Sequence, residues 1–69
     1  MKYNIGDLIK VDGFLYSSEG DMITNACGLA LVTWCDPDKD LQTHYIRVSY
    51  QNMEGYIMKL NCEIIDEKG

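Results

Sequence analysis

The alternation of apolar and polar residues in the second half of the chain is the feature that most constrains the fold. Ile46, Val48 and Tyr50 lie two residues apart, and period-two spacing of β-branched and aromatic residues is typical of a strand with one buried face. The pattern breaks at 51–55, QNMEG, where Asn and Gly tolerate positive φ and predict a hairpin turn. Residues 56–65 are again largely apolar, which predicts a returning strand and a short closing strand.

The N-terminal part of the chain predicts a strand followed by a long excursion. Residues 8–11, LIKV, predict a first strand with Ile9 and Val11 on one face. Residues 12–27 combine short apolar pieces with a polar tip at 17–21, SSEGD. We therefore expect this segment to be part hairpin and part loop.

The most apolar run of the chain predicts a central strand. It covers residues 28–35, GLALVTWC, which is strand length, and we expect Ala30 and Val32 to point inward. Pro37 ends it, because proline cannot donate to a strand ladder. Five short strands separated by turns predict an all-β fold, a small antiparallel barrel that forms a single domain over residues 1–69.

Composition narrows the classes of partner. The chain has 69 residues and a net charge of −5, from 11 acidic and 6 basic residues. Nucleic-acid affinity rests largely on Lys and Arg at phosphates, so we expect no DNA or RNA binding at physiological salt. No apolar run approaches the ~18 residues that a membrane span needs. We expect a cytoplasmic protein, or one in a particle assembled in a cytoplasm, with a basic protein surface as a possible partner.

The four potential soft metal ligands do not form a zinc pattern. Cys27, Cys35, Cys62 and His44 include no C-x-x-C pair, and the gaps match no zinc ribbon or knuckle. We interpret the cysteines as reduced, small apolar core residues and the histidine as a surface residue. Because cysteine catalysis needs a positioned base and His44 is the only histidine, we expect no enzymatic activity and no cofactor.

Three aspartates have the spacing of calcium-loop ligands but lack the rest of the loop. Asp36, Asp38 and Asp40 lie at i, i+2 and i+4. A calcium loop also needs Gly at its sixth position and Glu at its twelfth, where this chain has Leu41 and Arg47. The aspartates therefore predict a solvated acidic turn rather than a metal site.

The order of the strand motifs resembles that of a known family. Gly6–Ile9 (GDLI), Gly28–Val32 (GLALV), Ile46–Tyr50 (IRVSY) and the closing segment Leu60–Ile64 follow one another as in the small Src-homology-3-like barrel proteins of bacteriophages. The resemblance covers about residues 5–65. It implies an antiparallel barrel of about five strands and a non-enzymatic accessory or structural protein of a virion.

The chain departs from the peptide-binding members of the wider class. Those members carry an Ala-Leu-Tyr-Asp-Tyr motif, a paired Trp and a proline before the last strand. This chain has Phe14-Leu15-Tyr16, the single Trp34, and Met58 where the proline would fall. Binding of proline-rich ligands is therefore not inherited from the resemblance.

Apolar anchors beside acidic residues predict a site for a protein partner. In barrels of the resembled class, the long loops 12–27 and 36–44 lie near one another at one end. Aromatic anchors within a charged rim are typical of protein interfaces, and the candidate residues are Phe14, Tyr16, Trp34, Asp36, Asp38 and Asp40. The alternatives are that Phe14 and Trp34 only cap the core, or that the chain binds and blocks a host or defence enzyme. A nucleic-acid-associated regulator and a homo-oligomer also stay open.

Overall fold

The chain folds into five antiparallel strands that form one sheet. The computed structural model describes residues 3–35 and 44–66. The strands are β1 (Leu8–Tyr16), β2 (Met22–Trp34), β3 (Tyr45–Tyr50), β4 (Met53–Met58) and β5 (Cys62–Asp66), and a short 3-10 turn, Lys59–Asn61, joins β4 to β5. None of the described residues lies in an α-helix. The prediction of an all-β fold of about five antiparallel strands is confirmed.

Four of the strands close into a barrel-like ring. The order in the sheet is β2-β3-β4-β1-β5, and β2 also pairs with β1. The ring closes where Tyr16, the last residue of β1, pairs with Tyr56 of β4. β5 lies beside the first part of β1, with Ile9 opposite Ile64.

The core fills the inside of this ring, and the alternation in each strand decides which residues enter it. The inward faces predicted from the sequence are confirmed, since Ile9, Val11, Ala30, Val32, Ile46, Val48 and Tyr50 are all buried. The other buried apolar residues are Tyr3, Leu15, Ala26 and Ile57. Fully burying one large aliphatic side chain stabilises a fold by about 1.5–3 kcal/mol.

The turn before β1 fastens the N-terminal segment to the ring. Asp7 is fully buried, and its Oδ2 accepts the Asn4 N–H at 2.8 Å. The N–H of Asp7 donates to the Asn4 carbonyl at 3.1 Å, and the Val32 N–H donates to the Asp7 carbonyl at 3.0 Å. The buried carboxyl group thus has a hydrogen-bond donor, as a buried polar group requires.

The prediction of a long loop over residues 12–27 is wrong. Residues 12–16 and 22–27 continue β1 and β2, which pair from Leu8 opposite Leu31 to Tyr16 opposite Met22. Only the tip at 17–21 is a connection, and the prediction that the segment is partly a hairpin is correct. Gly28 lies inside β2 with a φ of 132°, a conformation that residues with a side chain rarely adopt. The strand therefore continues through the boundary that the sequence predicts between residues 27 and 28.

The β3–β4 turn is shorter than predicted. Gln51 and Asn52 have φ values of 47° and 64°, as expected for the two central residues of a type I′ turn. Strand β4 then begins at Met53. Gly55, predicted to be part of the turn, is instead buried within β4.

Candidate protein-binding surface

Aromatic side chains gather on the outer face of the ring at the end where β1 meets β4. Leu15 is fully buried, so Phe14 and Tyr16 on either side of it point outward. The Tyr16 ring makes edge contacts with Phe14 and with Tyr45 of β3, each at 6.5 Å between centroids. Edge-to-face contacts between aromatic rings contribute free energy in addition to that of the apolar area they bury. The Tyr16 ring therefore helps to fix the positions of the other two.

The strand register extends this group across the sheet. Trp34 of β2 lies opposite Arg47 of β3, Arg47 lies opposite Tyr56 of β4, and Tyr56 lies opposite Tyr16 of β1. Side chains that are directly opposite on neighbouring strands are close enough to touch. We define the aromatic surface as the outward residues Phe14, Tyr16, Trp34, Tyr45 and Tyr56.

A β-bulge explains why Trp34 belongs to this surface. Val32 is buried, and simple alternation would place Trp34 inward as well. The register shifts between Val32 and Trp34, so Trp34 faces the outward Arg47 and is 37% exposed. At this bulge the Thr33 hydroxyl is buried without a hydrogen-bond partner among the described residues.

Arg47 contributes a charged group next to the aromatic rings. Its guanidinium carbon lies 5.9 Å from the centroid of the Tyr56 ring, within the range of a cation–π interaction. Its Nη2 also lies 2.8 Å from Oε1 of Glu54. Both side chains are partly exposed, so the ion pair adds little stability, but it fixes the position of the guanidinium on the ring.

An open depression of about 380 Å³ lies beside these rings. Three tyrosines of the aromatic surface and the β1–β2 tip line it, namely Tyr16, Tyr45, Tyr56, Ser17, Ser18 and Gly20. Hydrogen bonds order the tip, because the Ser17 Oγ accepts the N–H groups of Glu19 and Asp21, both at 3.2 Å. The tip thereby presents two exposed carboxylates next to the depression.

The structure brings together part of the predicted site. Phe14, Tyr16 and Trp34 all lie on the outer face, and Phe14 and Tyr16 lie in a strand rather than in the predicted loop. Because Phe14 is 49% exposed and Trp34 37% exposed, neither is closed off within the core. Asp36, Asp38 and Asp40 lie outside the described residues.

Sequence reasoning missed two members of the aromatic surface. Neither Tyr45 nor Tyr56 is among the candidate residues that the sequence indicates. The alternation around the buried Ile46 and Ile57 carried the signal, since it places the neighbouring Tyr45 and Tyr56 outward.

A second exposed apolar face lies at the other end of β1. Leu29 and Leu31 of β2 are 59% and 48% exposed, and Ile65 of β5 is 52% exposed. Leu31 lies opposite Leu8. Leu8 and Tyr16 are eight residues apart on β1, about 26 Å along an extended strand, so this face lies away from Tyr16 but approaches Trp34, which is three residues from Leu31 on β2.

The cysteines are only in part the core residues predicted. Cys35 and Cys62 pack against the core, but Cys27 is exposed and lies on the outer face of β2. Burial raises the pKa of the Cys62 thiol to about 11, so this thiol stays protonated at neutral pH. Within residues 3–35 and 44–66, no group of three or more His, Cys, Asp or Glu side chains could hold a metal ion.

Among the described residues no helix is long and apolar enough to cross a bilayer. The chain matches no protein-family model, no curated protein and no solved structure.

Proposed function

We propose that this protein is a non-enzymatic protein-binding module that uses the aromatic surface to contact a basic, partly apolar protein surface. The observation that carries the proposal is the outward position of five aromatic side chains on adjoining strands at one end of the ring. The core is filled by other residues. Packing alone therefore does not account for this concentration of rings.

The type of side chain supports a role in binding. Tyr, Trp and Arg are the residues that most often carry the binding energy of protein interfaces. Here they project from paired strands, and the Tyr16 ring contacts the rings of Phe14 and Tyr45. Such preorganised side chains lose little conformational freedom on binding, which favours affinity.

The charge of the chain supports a basic partner. Net charge is −5, and the exposed Glu19, Asp21 and Glu54 lie on or next to the elements that carry the aromatic surface. Complementary charge mainly speeds association and selects partners. We therefore propose that acidic residues steer the partner and that aromatic residues hold it.

The resemblance to bacteriophage barrels supports an accessory or structural role in a virion. Inhibition of a host or defence enzyme is the alternative, and it would use the same surface. A virion component is present in many copies in purified particles, whereas an inhibitor is found in infected-cell extract bound to its target. Quantifying the protein in both fractions separates the two roles.

The proposal is tested by identifying partners and then comparing two outward substitutions. Partners are captured with the parent protein and identified by mass spectrometry, and each is purified to measure its dissociation constant. Tyr16→Ala should weaken the binding of a true partner by about 30-fold, which corresponds to the loss of a hot spot worth about 2 kcal/mol. Leu29→Ala truncates an exposed apolar side chain opposite Lys10, near the other end of β1, and should leave the affinity unchanged.

The acidic residues near Trp34 in the sequence give a kinetic test. The triple change of Asp36, Asp38 and Asp40 to Asn should slow association and weaken its salt dependence, because steering is electrostatic. Tyr16→Ala should mainly speed dissociation. Parent-like binding of both variants, measured by surface plasmon resonance, would place the interface elsewhere.

A further inference from the structure

We infer that the depression at the β1–β2 tip is a binding site for a cationic head group, the ammonium or guanidinium of a lysine or arginine side chain of the partner. The inference rests on the proposed function and deepens it, because it assigns a chemical class to the group that the site receives. Three tyrosine rings and the Ser17–Gly20 segment line this depression.

The arrangement of the rings suits a cation. The rings of Tyr16 and Tyr45 stand 88° apart with centroids separated by 6.5 Å, so they form two walls of a corner. Tyr56, opposite Tyr16 in the register, supplies a third. The faces of aromatic rings carry negative charge density, and sites lined by several such rings bind ammonium groups.

The protein already makes this type of contact with one of its own residues. The guanidinium of Arg47 sits 5.9 Å from the centroid of the Tyr56 ring. Arg47 also pairs with Glu54 at 2.8 Å, and this pairing offsets the repulsion that its charge would exert on a second cation nearby. Arg47 does not line the depression, and its walls consist of tyrosine and small residues.

The rim adds charge of the required sign. Glu19 and Asp21 are exposed on the tip, and the bonds from their N–H groups to Ser17 hold their backbone in place. The net charge of −5 acts in the same direction. A cationic group approaching the depression therefore meets an attractive potential at the rim as well as at the rings.

The test compares two probes that differ in charge but not in shape. Choline and its neutral isostere 3,3-dimethylbutan-1-ol are titrated separately into the parent protein, and the tyrosine ring signals are followed by NMR. We expect choline to shift the signals of Tyr16, Tyr45 and Tyr56 and to bind at least about 5-fold more tightly than the isostere. The buried Tyr3 and Tyr50 serve as internal controls and should not shift.

Two outcomes would overturn the inference. Equal binding of both probes would show a site that selects shape or apolar character, and the absence of shifts at the three tyrosines would show no site. Tyr45→Leu should remove choline selectivity, and Leu29→Ala should retain it. Because the probe pair is compared on the parent protein, the result does not depend on whether any variant folds.

The same data separate this inference from the proposed function. If Tyr16→Ala weakens the protein partner while choline shows no preference over its isostere, the cation site is refuted and the proposed function stands. If choline binds selectively while the partner is indifferent to Tyr16→Ala, the cation site stands and the proposed function is refuted.

Discussion

Gly55 lies where the ring closes, and replacing it tests how that closure is held. A Cβ atom at this position would lie 2.8 Å from Leu15 Cγ, 2.8 Å from the Tyr16 carbonyl oxygen and 3.1 Å from Ile23 Cδ1. Optimal separations between carbon atoms are about 3.5–4.0 Å. The tightest contacts therefore involve a core side chain and the backbone of β1, and the backbone cannot move without disturbing the pairing of Tyr16 with Tyr56.

We expect Gly55→Ala to destabilise the protein by about 1–3 kcal/mol, the usual cost of overpacking. Reduced entropy of the unfolded chain returns only about 0.4–1 kcal/mol. A core of this size supplies about 3–5 kcal/mol in total, so the loss is a large share of the stability. Urea unfolding followed by far-ultraviolet circular dichroism measures it, with the outward Ser49→Ala as the matched control.

A parent-like unfolding midpoint for Gly55→Ala would refute the close approach of β1 to β4. The same substitution should also displace Tyr16, because its carbonyl is one of the clashing groups. Faster amide hydrogen exchange at Tyr16 and Tyr56 in the variant would report that displacement directly.

Three other perturbations test individual contacts. The Tyr50 hydroxyl accepts the Cys27 N–H at 3.1 Å and donates to the Cys27 carbonyl at 3.0 Å, so Tyr50→Phe should cost about 1–2 kcal/mol in a urea melt. Thr33→Val should stabilise the protein by about 1 kcal/mol, because it removes a buried hydroxyl without a partner among the described residues; a destabilised variant would contradict this. The raised pKa of Cys62 means that the unfolded chain loses this proton from about pH 9 but the folded chain only near pH 11. Stability should therefore be intact below pH 9 and fall between these values, and Cys62→Ala should reduce that fall in melting temperature.

The inward faces could be predicted because alternation is a local signal. Ile9, Val11, Ala30 and Val32 are buried as predicted, since each lies in a strand whose period fixes its side. The extent of the first hairpin could not be predicted in the same way. Glycine and polar residues within 12–27 favour a loop locally, and only the pairing of β1 with β2 extends the strands through them.

The candidate site also depends on strand pairing that local sequence patterns do not show. Phe14 and Tyr16 could be selected as aromatic residues near an acidic tip, but the contact of Tyr16 with Tyr45 depends on how the strands are arranged in the ring. The outward position of Trp34 depends on a bulge, and alternation alone gives the opposite side. Gly55 was assigned to the turn because glycine favours turns, whereas its place in β4 follows from a close approach of another strand.

The central claim is that the aromatic surface contacts the partner, and mapping that contact on the folded protein tests it most directly. Isotope-labelled protein is titrated with the purified partner, and backbone amide signals are followed by NMR. We predict that the changes concentrate at residues 14–18, 34, 45 and 56 and leave 8 and 29 unaffected. Changes confined to 8 and 29, with the aromatic surface unaltered, would contradict this prediction.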